Sequence, residues 1–512
     1  MCPSLSLPED YRPYQNIYEW GQALHLHAVI RKNDLQALHE LIQVEPLLLT
    51  FEDPGDNLCP PLVEAVKLDR LAIIRVLLST ELRYRGTWGT PLTAACARGR
   101  LDIVYMLLEG MPDVGIDDVD ILGYTPFLCA AFGRMGETRH RLDILRLLIA
   151  CVANIQAAKA QSLYRNETLE KEIDKDLPHG PFVFKPRPGG GGNALSLAME
   201  SLVTDPSVLR FLVEAGVEVF QSRHALTERV DITSGPLKKT GRYKHVTYDR
   251  VFITPLAIGS KCGNVMGVKT LLSLFPDDHF RLLATTDAVI VPEPRQTPQF
   301  PEDDMPVILP LHAALLGETN DGRPWAAEAV APAVDVVRVL TANETIRAAT
   351  INATYRHHCT PLHLATSFDR IPLLLTMMEL GADPRFPRHD GHGLILALFS
   401  SVSRLSRAFT HINFSWAMEI DKSTDMLAVL QTLLRSYSPR GQDPAVDAQN
   451  AIYRRAIINE TDANGNTALH FAMAYHLPRS TAALLTLGAQ TNVVNYAGQV
   501  PSKPPKGTEP AI

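Results

Sequence analysis

With 512 residues, 46% of them hydrophobic and 21% charged, the chain has the composition of a folded globular protein and not of a disordered one. Its formal net charge of −7 argues against a protein that coats nucleic acid, so we expect no direct nucleic-acid binding. The seven cysteines are odd in number and widely scattered. This favours reduced thiols over a disulfide framework, and we expect an intracellular location in the cytoplasm, the nucleus or both.

Residues 1–20 are expected to form an N-terminal cap or tail. They contain no basic region followed by an apolar run, which a secretory signal would require. The chain also has no run of 18 consecutive apolar residues. We therefore expect neither a secretory leader nor membrane insertion.

From residue 21 onward, one short motif recurs along the chain. Its clearest copies are TPLTAA (90–95), TPFLCA (125–130), TPLAIG (254–259), TPLHLA (360–365) and TALHFA (467–472). Looser copies are LHAV (26–29), PPLVEA (60–65), NALSLA (193–198), LPLHAA (309–314) and GLILAL (393–398). Thr is a good helix cap, and Pro at the first turn already has a helical φ, so the motif predicts repeated helix starts.

An apolar stripe with helical spacing follows the motif. The segments DRLAIIRVLL, GRLDIVYMLL and GNVMGVKTLL stand in the same register after Leu62, Leu92 and Leu256. Gly or a small polar residue seven positions after this Leu indicates a break between two helices, and a second Gly often ends the second helix, as in EAGVE (214–218). The pattern predicts a repeated helix–turn–helix unit.

This unit resembles the ankyrin repeat, whose signature is T-P-L-H-x-A at a period of about 33 residues. The best matches are 360–383 and 462–492. The resemblance implies an all-α solenoid of about nine or ten repeats with β-hairpin-like turns, continuous over 21–500 and followed by a flexible tail at 501–512. The repeats are expected to start near residues 21, 58, 88, 123, 191, 252, 307, 358, 390 and 465.

The uneven spacing between motifs indicates long insertions, which a stacked array accommodates as loops. The expected insertions lie near 133–141, 152–192, 217–253, 275–308, 318–333, 341–355, 399–424 and 436–461.

The stretch HHCTPLHLA (357–365) combines histidines and a cysteine, as metal sites and Cys/His catalytic pairs do. In the repeat that it resembles, the residues before TP occupy a hairpin tip and His363 bonds back toward the Thr, so the ligands would not converge on a tetrahedral zinc ion. We expect no catalytic residue, no cofactor and no metal. The residues with an expected structural role are Thr90, Pro91, Thr125, Pro126, Thr254, Pro255, His312, Thr360, Pro361, His363, Thr467 and His470.

The resemblance also implies that a partner binds the concave face, which consists of the hairpin tips and the exposed side of each first helix. In the N-terminal repeats this row is basic, which suggests an acidic partner segment, with aromatic anchors further along the chain. The expected contact residues are Arg31, Lys32, Lys67, Arg98, Leu122, Tyr124, Phe132, Lys261, Arg356, His357, Phe368, Asn466 and Tyr475.

These features predict a monomeric, non-enzymatic scaffold or adaptor that binds a protein partner. One alternative is a transcriptional co-regulator that binds a transcription factor, because insertion-rich chains of this type resemble fungal ankyrin proteins associated with metabolite gene clusters. The basic segment PLKKTGRYKHVTYDR (236–250) would then serve in nuclear import. A second alternative is an enzyme whose pocket is built by the insertions.

Overall fold

The computed structural model describes residues 17–44, 59–80, 90–111, 114–120, 123–133, 138–157, 192–201, 206–219, 223–230, 246–275, 309–316, 327–353, 360–384, 393–408, 415–436, 452 and 454–501. The chain divides into two compact units, unit 1 (Met1–Gln221) and unit 2 (Ser222–Ile512). None of the helices in the described part of the chain combines the length and the hydropathy that a membrane-spanning segment requires.

The described part of unit 1 consists of five helix pairs. They are α1 (Ile17–Lys32) with α2 (Leu35–Val44), α3 (Pro61–Lys67) with α4 (Leu71–Leu78), α5 (Pro91–Arg98) with α6 (Leu101–Gly110), α7 (Pro126–Phe132) with α8 (Thr138–Ala150), and α9 (Ala194–Glu200) with α10 (Pro206–Glu214). Each first helix packs on the first helix of the next pair, and each second helix packs on the next second helix. The pairs therefore stack into two layers of helices.

The core of unit 1 lies between these stacked pairs. The Leu or Phe of every motif in unit 1 is fully buried. In the second helices α4, α6, α8 and α10, two adjacent residues and a third one turn later are fully buried as well, whereas α2 buries Leu38. The buried residues of these second helices are Ile73, Ile74, Leu77, Ile103, Val104, Leu107, Ile144, Leu145, Leu148, Val208, Leu209 and Leu212. No pair could bury this stripe alone, so the hydrophobic pattern specifies the stacking as well as the helices.

Unit 2 contains an antiparallel hairpin of β1 (Arg223–Val230) and β2 (Val246–Ile253), in which Arg223 lies opposite Ile253. The hairpin occupies part of the insertion predicted at 217–253. The all-α expectation does not include these strands, although the composition of VTYDRVFI, with its β-branched and aromatic residues, favours a strand. Most of the basic segment, 236–245, lies outside the described residues.

The helices of unit 2 follow the hairpin. In chain order they are α11 (Pro255–Lys261), α12 (Val265–Leu274), α13 (Pro310–Leu316), α14 (Ala327–Leu340), α15 (Glu344–Thr350), α16 (Pro361–Ala365), α17 (Ile371–Glu379), α18 (Leu394–Ala408), α19 (Ser415–Ser423), α20 (Met426–Ser436), α21 (Ala468–Ala474) and α22 (Pro478–Thr486). The described helices form five pairs, namely α11 with α12, α13 with α14, α16 with α17, α18 with α20, and α21 with α22. The second helices of these pairs pack in that order. The prediction of a helical repeat fold is confirmed.

Several predicted insertions are not loops. Helix α15 lies within 341–355, α19 lies within 399–424, and α8 and α14 begin inside the insertions predicted at 133–141 and 318–333. These segments were expected to leave the stack. Instead, α8, α14 and α19 pack onto neighbouring helices, and Ile346 and Thr350 of α15 are buried. The insertions at 152–192, 275–308 and 436–461 fall largely outside the described residues.

The structure also describes part of the predicted cap at 1–20 and the first residue of the predicted tail at 501–512. Helix α1 begins at Ile17, so the end of the predicted cap at 1–20 belongs to the first helix pair. Pro501, where the tail was expected to begin, is buried, and 502–512 lie outside the described residues.

Candidate partner-binding surface

The first helices begin as the motif predicts. The hydroxyl oxygens of Thr90, Thr125 and Thr254 each accept a hydrogen bond from the backbone N–H three residues later, at 3.1, 3.2 and 3.2 Å. The residue after each Thr is a proline in the first helical turn, as it also is after Thr360; these are Pro91, Pro126, Pro255 and Pro361. The caps satisfy N–H groups that a helix start leaves without a partner.

The motif histidines stabilise the same helix starts. The backbone N–H of Thr360 donates to Nδ1 of His363 at 3.1 Å, and that of Thr467 donates to Nδ1 of His470 at 3.0 Å. With Nδ1 as acceptor, Nε2 carries the proton, and in His470 it donates to the carbonyl oxygen of Gln499 at 3.3 Å. Burial lowers the pKa of His470, which favours this neutral form.

A third histidine, His312, is fully buried, and its Nε2 donates to the carbonyl oxygen of Ala353 at 3.1 Å. These rings therefore serve as helix caps and as links to backbone further along the chain. In the stretch HHCTPLHLA, His357, His358 and Cys359 lie outside the described residues. Among the residues that the structure describes, no group of three or more His, Cys, Asp and Glu side chains could hold a metal ion.

Two of the four cations in the expected basic row of unit 1, Arg31 and Arg98, are paired with carboxylates of neighbouring repeats. Nε of Arg31 lies 2.7 Å from Glu64, a buried carboxylate that also binds His27. Nη2 of Arg98 lies 3.2 Å from Asp69. Because each pair joins neighbouring repeats, these arginines contribute to stacking, and their charge is less available to an acidic partner than the sequence suggested.

The remaining cations of the predicted row differ in exposure. Lys32 is exposed, whereas Lys67 and Lys261 are half-buried. Nζ of Lys67 donates to Sγ of the buried Cys59 at 3.3 Å.

Four residues predicted to contact a partner are buried, which makes that expectation wrong for them. Phe368 is 0% exposed, Asn466 2%, Tyr475 3% and Phe132 8%. Phe368 packs against Phe399 at 5.8 Å between ring centroids. For Phe368, the next repeat thus covers the helix position that was expected to face a partner.

The predicted set also contains two hairpin-tip residues, Tyr124 and Leu122. Tyr124 is half-buried and stacks on Phe132 with ring centroids 5.9 Å apart. Leu122 lies outside the described residues, as do Arg356 and His357.

The two described tips at 462–466 and 495–499 are held by hydrogen bonds to a side-chain carboxylate and a side-chain amide. In unit 2, Oδ1 of Asp462 accepts from the backbone N–H groups of Asn464 and Asn466, both at 2.8 Å. One repeat later, Oδ1 of Asn495 accepts from the backbone N–H groups of Ala497 and Gln499 at 3.1 and 2.9 Å. Each loop therefore has a fixed backbone before any partner binds.

Neighbouring tips are also bonded to each other. The backbone N–H of Tyr496 donates to the carbonyl oxygen of Asn464 at 2.9 Å, and the amide of Asn495 donates to Oδ1 of Asn466 at 2.8 Å. Gly465 has a φ of +79°, and a Cβ at this position would lie 3.1 Å from the backbone of Asn495. Glycine therefore allows the two tips to approach.

This arrangement presents Tyr496 to solvent. Its side chain is 82% exposed, and Val494 beside it is 56% exposed. Tyr496 was not among the predicted contact residues. The signal that could have found it is NYAGQ, which repeats the pattern of DANGN one repeat later and places Tyr496 at the tip.

In unit 1, the described part of one tip is acidic. Oδ1 of Asp120 accepts from the backbone N–H of Tyr124 at 2.8 Å, and Oδ1 of Asp117 accepts from that of Asn154 at 2.9 Å. Asp118 between them is exposed, and so is Val119. The charge at this tip is negative, opposite to the sign expected for the helix row.

Part of unit 1 resembles a known protein family. Residues 89–119, which include α5 and α6, match the family model described as "Ankyrin repeat". A search of curated protein sequences finds no significant match. Among solved structures, the crystal structure of the human ASB11 ankyrin repeat domain is similar, with 18% sequence identity over 49% of this chain and 84% of that chain and a TM-score of 0.32. Residues 89–119 thus match an ankyrin repeat, and the capped helix pair found there recurs in both units.

Proposed function

We propose that this chain is a non-enzymatic scaffold that binds a protein partner through its hairpin tips, with Tyr496 as an anchoring side chain. Ankyrin repeats are generally protein–protein interaction modules and are typically non-enzymatic. The observation that carries the proposal is the exposed Tyr496 on a tip whose backbone is held by hydrogen bonds to the preceding tip.

A tyrosine in this setting suits binding for two reasons. Its ring offers a large contact area and a polar hydroxyl, and tyrosine is enriched among the few residues that dominate binding energy. Because the loop is already ordered, binding would not have to order it, and this reduces the entropic cost of association. The paired arginines of unit 1 are assigned a structural role in this scheme, and the tips take the place of the predicted helix row.

The proposal is tested with the full-length chain carrying Tyr496→Ser. A matched control is Tyr105→Ser, which removes a second exposed tyrosine, 47% exposed, from the second helix α6. Both chains are used in affinity purification with quantitative mass spectrometry, and circular dichroism verifies that both are folded.

We expect proteins captured by the wild type and by Tyr105→Ser to be depleted about tenfold or more with Tyr496→Ser, the loss typical of an anchoring residue. Equal capture by all three chains would refute Tyr496 as the anchor. If Tyr105→Ser alone loses the captured proteins, the binding surface is the outer helix layer and the proposal is wrong.

A further inference from the structure

Helix α19 (Ser415–Ser423) lies in the chain between α18 and α20, the two helices of the fourth pair of unit 2. Its contacts reach beyond that pair. It packs on the turn Phe368–Arg370 of the third pair and on α22 of the fifth pair. In an ordinary repeat array each repeat contacts only its nearest neighbours, so α19 joins two pairs that the repeat pattern would keep apart.

The contact with the fifth pair is a helix cap. The carboxylate of Asp421, which is 0% exposed, accepts hydrogen bonds from the backbone N–H groups of Arg479 at 2.9 Å and Ser480 at 2.8 Å, and from the hydroxyl of Ser480. These N–H groups belong to the first turn of α22, where a capping side chain normally binds. The N-cap position of α22 is Leu477, whose side chain has no acceptor. Asp421 supplies the missing cap from another part of the chain.

The contact with the third pair is aromatic. Trp416, near the start of α19, packs edge-on against Phe368 with ring centroids 6.5 Å apart. Phe368 is fully buried and contacts Phe399 of α18. Its backbone N–H donates to the hydroxyl of Ser401, also in α18, at 2.9 Å. One end of α19 is therefore packed on the third pair, while Asp421 near the other end holds the fifth.

We propose that α19 is a latch that makes the third, fourth and fifth pairs of unit 2 open as one cooperative element. A capping carboxylate from α19 and an aromatic contact from the same short helix add a next-nearest-neighbour interaction to an array in which the other main contacts between described helices join adjacent pairs. The latch stabilises the final helix pair, whose own sequence does not cap its second helix. It does not depend on partner binding by the hairpin tips, because its contacts are internal to unit 2.

The test is hydrogen exchange of the full-length chain followed by mass spectrometry at increasing low concentrations of denaturant, which resolves elements that open separately. In the wild type, we expect peptides from α17, α20 and α22 to share one free energy of opening and one denaturant dependence. Asp421→Ala should separate them, with exchange in α22 accelerated about tenfold, as for the loss of a helix cap, while α17 stays protected.

A matched control is Asp425→Ala. Oδ1 of Asp425 accepts from the backbone N–H of Ala428 at 3.2 Å and so caps its own helix, α20, at an exposed position. This variant should weaken all three helices equally, because the latch is intact. Trp416→Ala tests the other end of α19 and should leave α20 and α22 coupled while α17 opens separately.

The latch is refuted if Asp421→Ala and Asp425→Ala give the same exchange pattern, or if α17 and α22 already open separately in the wild type. Should Asp421→Ala fail to fold, Trp416→Ala decides: separation of α17 from α22 supports the latch, and uniform acceleration overturns it.

Discussion

The end of helix α8 contains a backbone conformation that its side chain disfavours, and relieving it should stabilise the protein. Val152 has a φ of +64° and is 85% exposed. Its N–H donates to the carbonyl oxygen of Ile149 at 2.9 Å, and the next N–H donates to that of Leu148 at 3.0 Å. The same pair of bonds ends α10, α17 and α22, where the equivalent residues are Gly216, Gly381 and Gly488.

We therefore expect Val152→Gly to raise the free energy of opening of α8. A left-handed conformation costs a residue with a Cβ about 1–2 kcal/mol, and a β-branched residue lies at the upper end. Glycine loses roughly 0.5–1 kcal/mol more backbone entropy on folding than other residues. The exposed valine gives up little buried area, so the net stabilisation is about 1 kcal/mol. Hydrogen exchange of peptides from α8 measures it.

The reverse substitution provides the control. A Cβ at Gly216 would have no atom within 4 Å, so Gly216→Val adds backbone strain without a steric clash. It should destabilise α10 by a similar amount, about 1 kcal/mol. The reasoning is refuted if Val152→Gly leaves the protection of α8 unchanged or lowers it while Gly216→Val has no effect on α10.

Two further outcomes are expected. Burial lowers the pKa of His470, so the unfolded chain binds a proton more readily than the folded one, and stability should fall as the pH drops below about 6.5, the ordinary histidine pKa. In His470→Gln, the side-chain amide can still accept from the backbone N–H of Thr467. Urea titrations between about pH 7.5 and pH 5.5 should show a smaller loss of unfolding free energy than in the wild type. An equal loss in both chains would assign the pH dependence to other groups. The second concerns Arg141, which is buried and donates from Nε to the carbonyl oxygen of Ala130 at 3.1 Å and from Nη2 to that of Ala131. Arg141→Met keeps the apolar stem but leaves both carbonyls unsatisfied, and it should cost about 2 kcal/mol in urea denaturation; a loss below about 0.5 kcal/mol would mean that water replaces the guanidinium.

Local backbone features could be predicted from the sequence because they depend on residues close together in the chain. The break expected seven positions after the motif Leu is confirmed at Asn33, Asp69, Gly99 and Gly263, whose φ values are 60°, 57°, 67° and 72°. Asn, Asp and Gly are the residues that adopt this conformation most easily. The Thr caps at the helix starts follow from equally local chemistry.

The surface was harder to predict, because exposure depends on what the neighbouring repeats contribute. Phe368 occupies a helix position that an average repeat leaves open, but Phe399 and Trp416 cover it. Arg31 is opposed by Glu64, a residue in the next repeat that the motif leaves unspecified. Such pairs are formed by tertiary packing and carry no signal at a fixed spacing in the sequence.

The insertions show the same limit. The length of 399–424 indicated only that extra residues had to leave the repeat pattern. The cap that Asp421 provides to Ser480 became apparent only once α19 and α22 were seen together. Leu477 at an N-cap position was the one local indication that a cap had to come from elsewhere.

The bond from the N–H of Tyr496 to the carbonyl of Asn464 is made entirely by main-chain atoms. A joint of this kind transmits repeat spacing without dictating side-chain identity, provided that a small residue such as Gly465 permits the approach. The side chain of Tyr496 takes no part in the main-chain bond that aligns the two tips, so it can be exchanged, and recognition with it, while the alignment between repeats is kept.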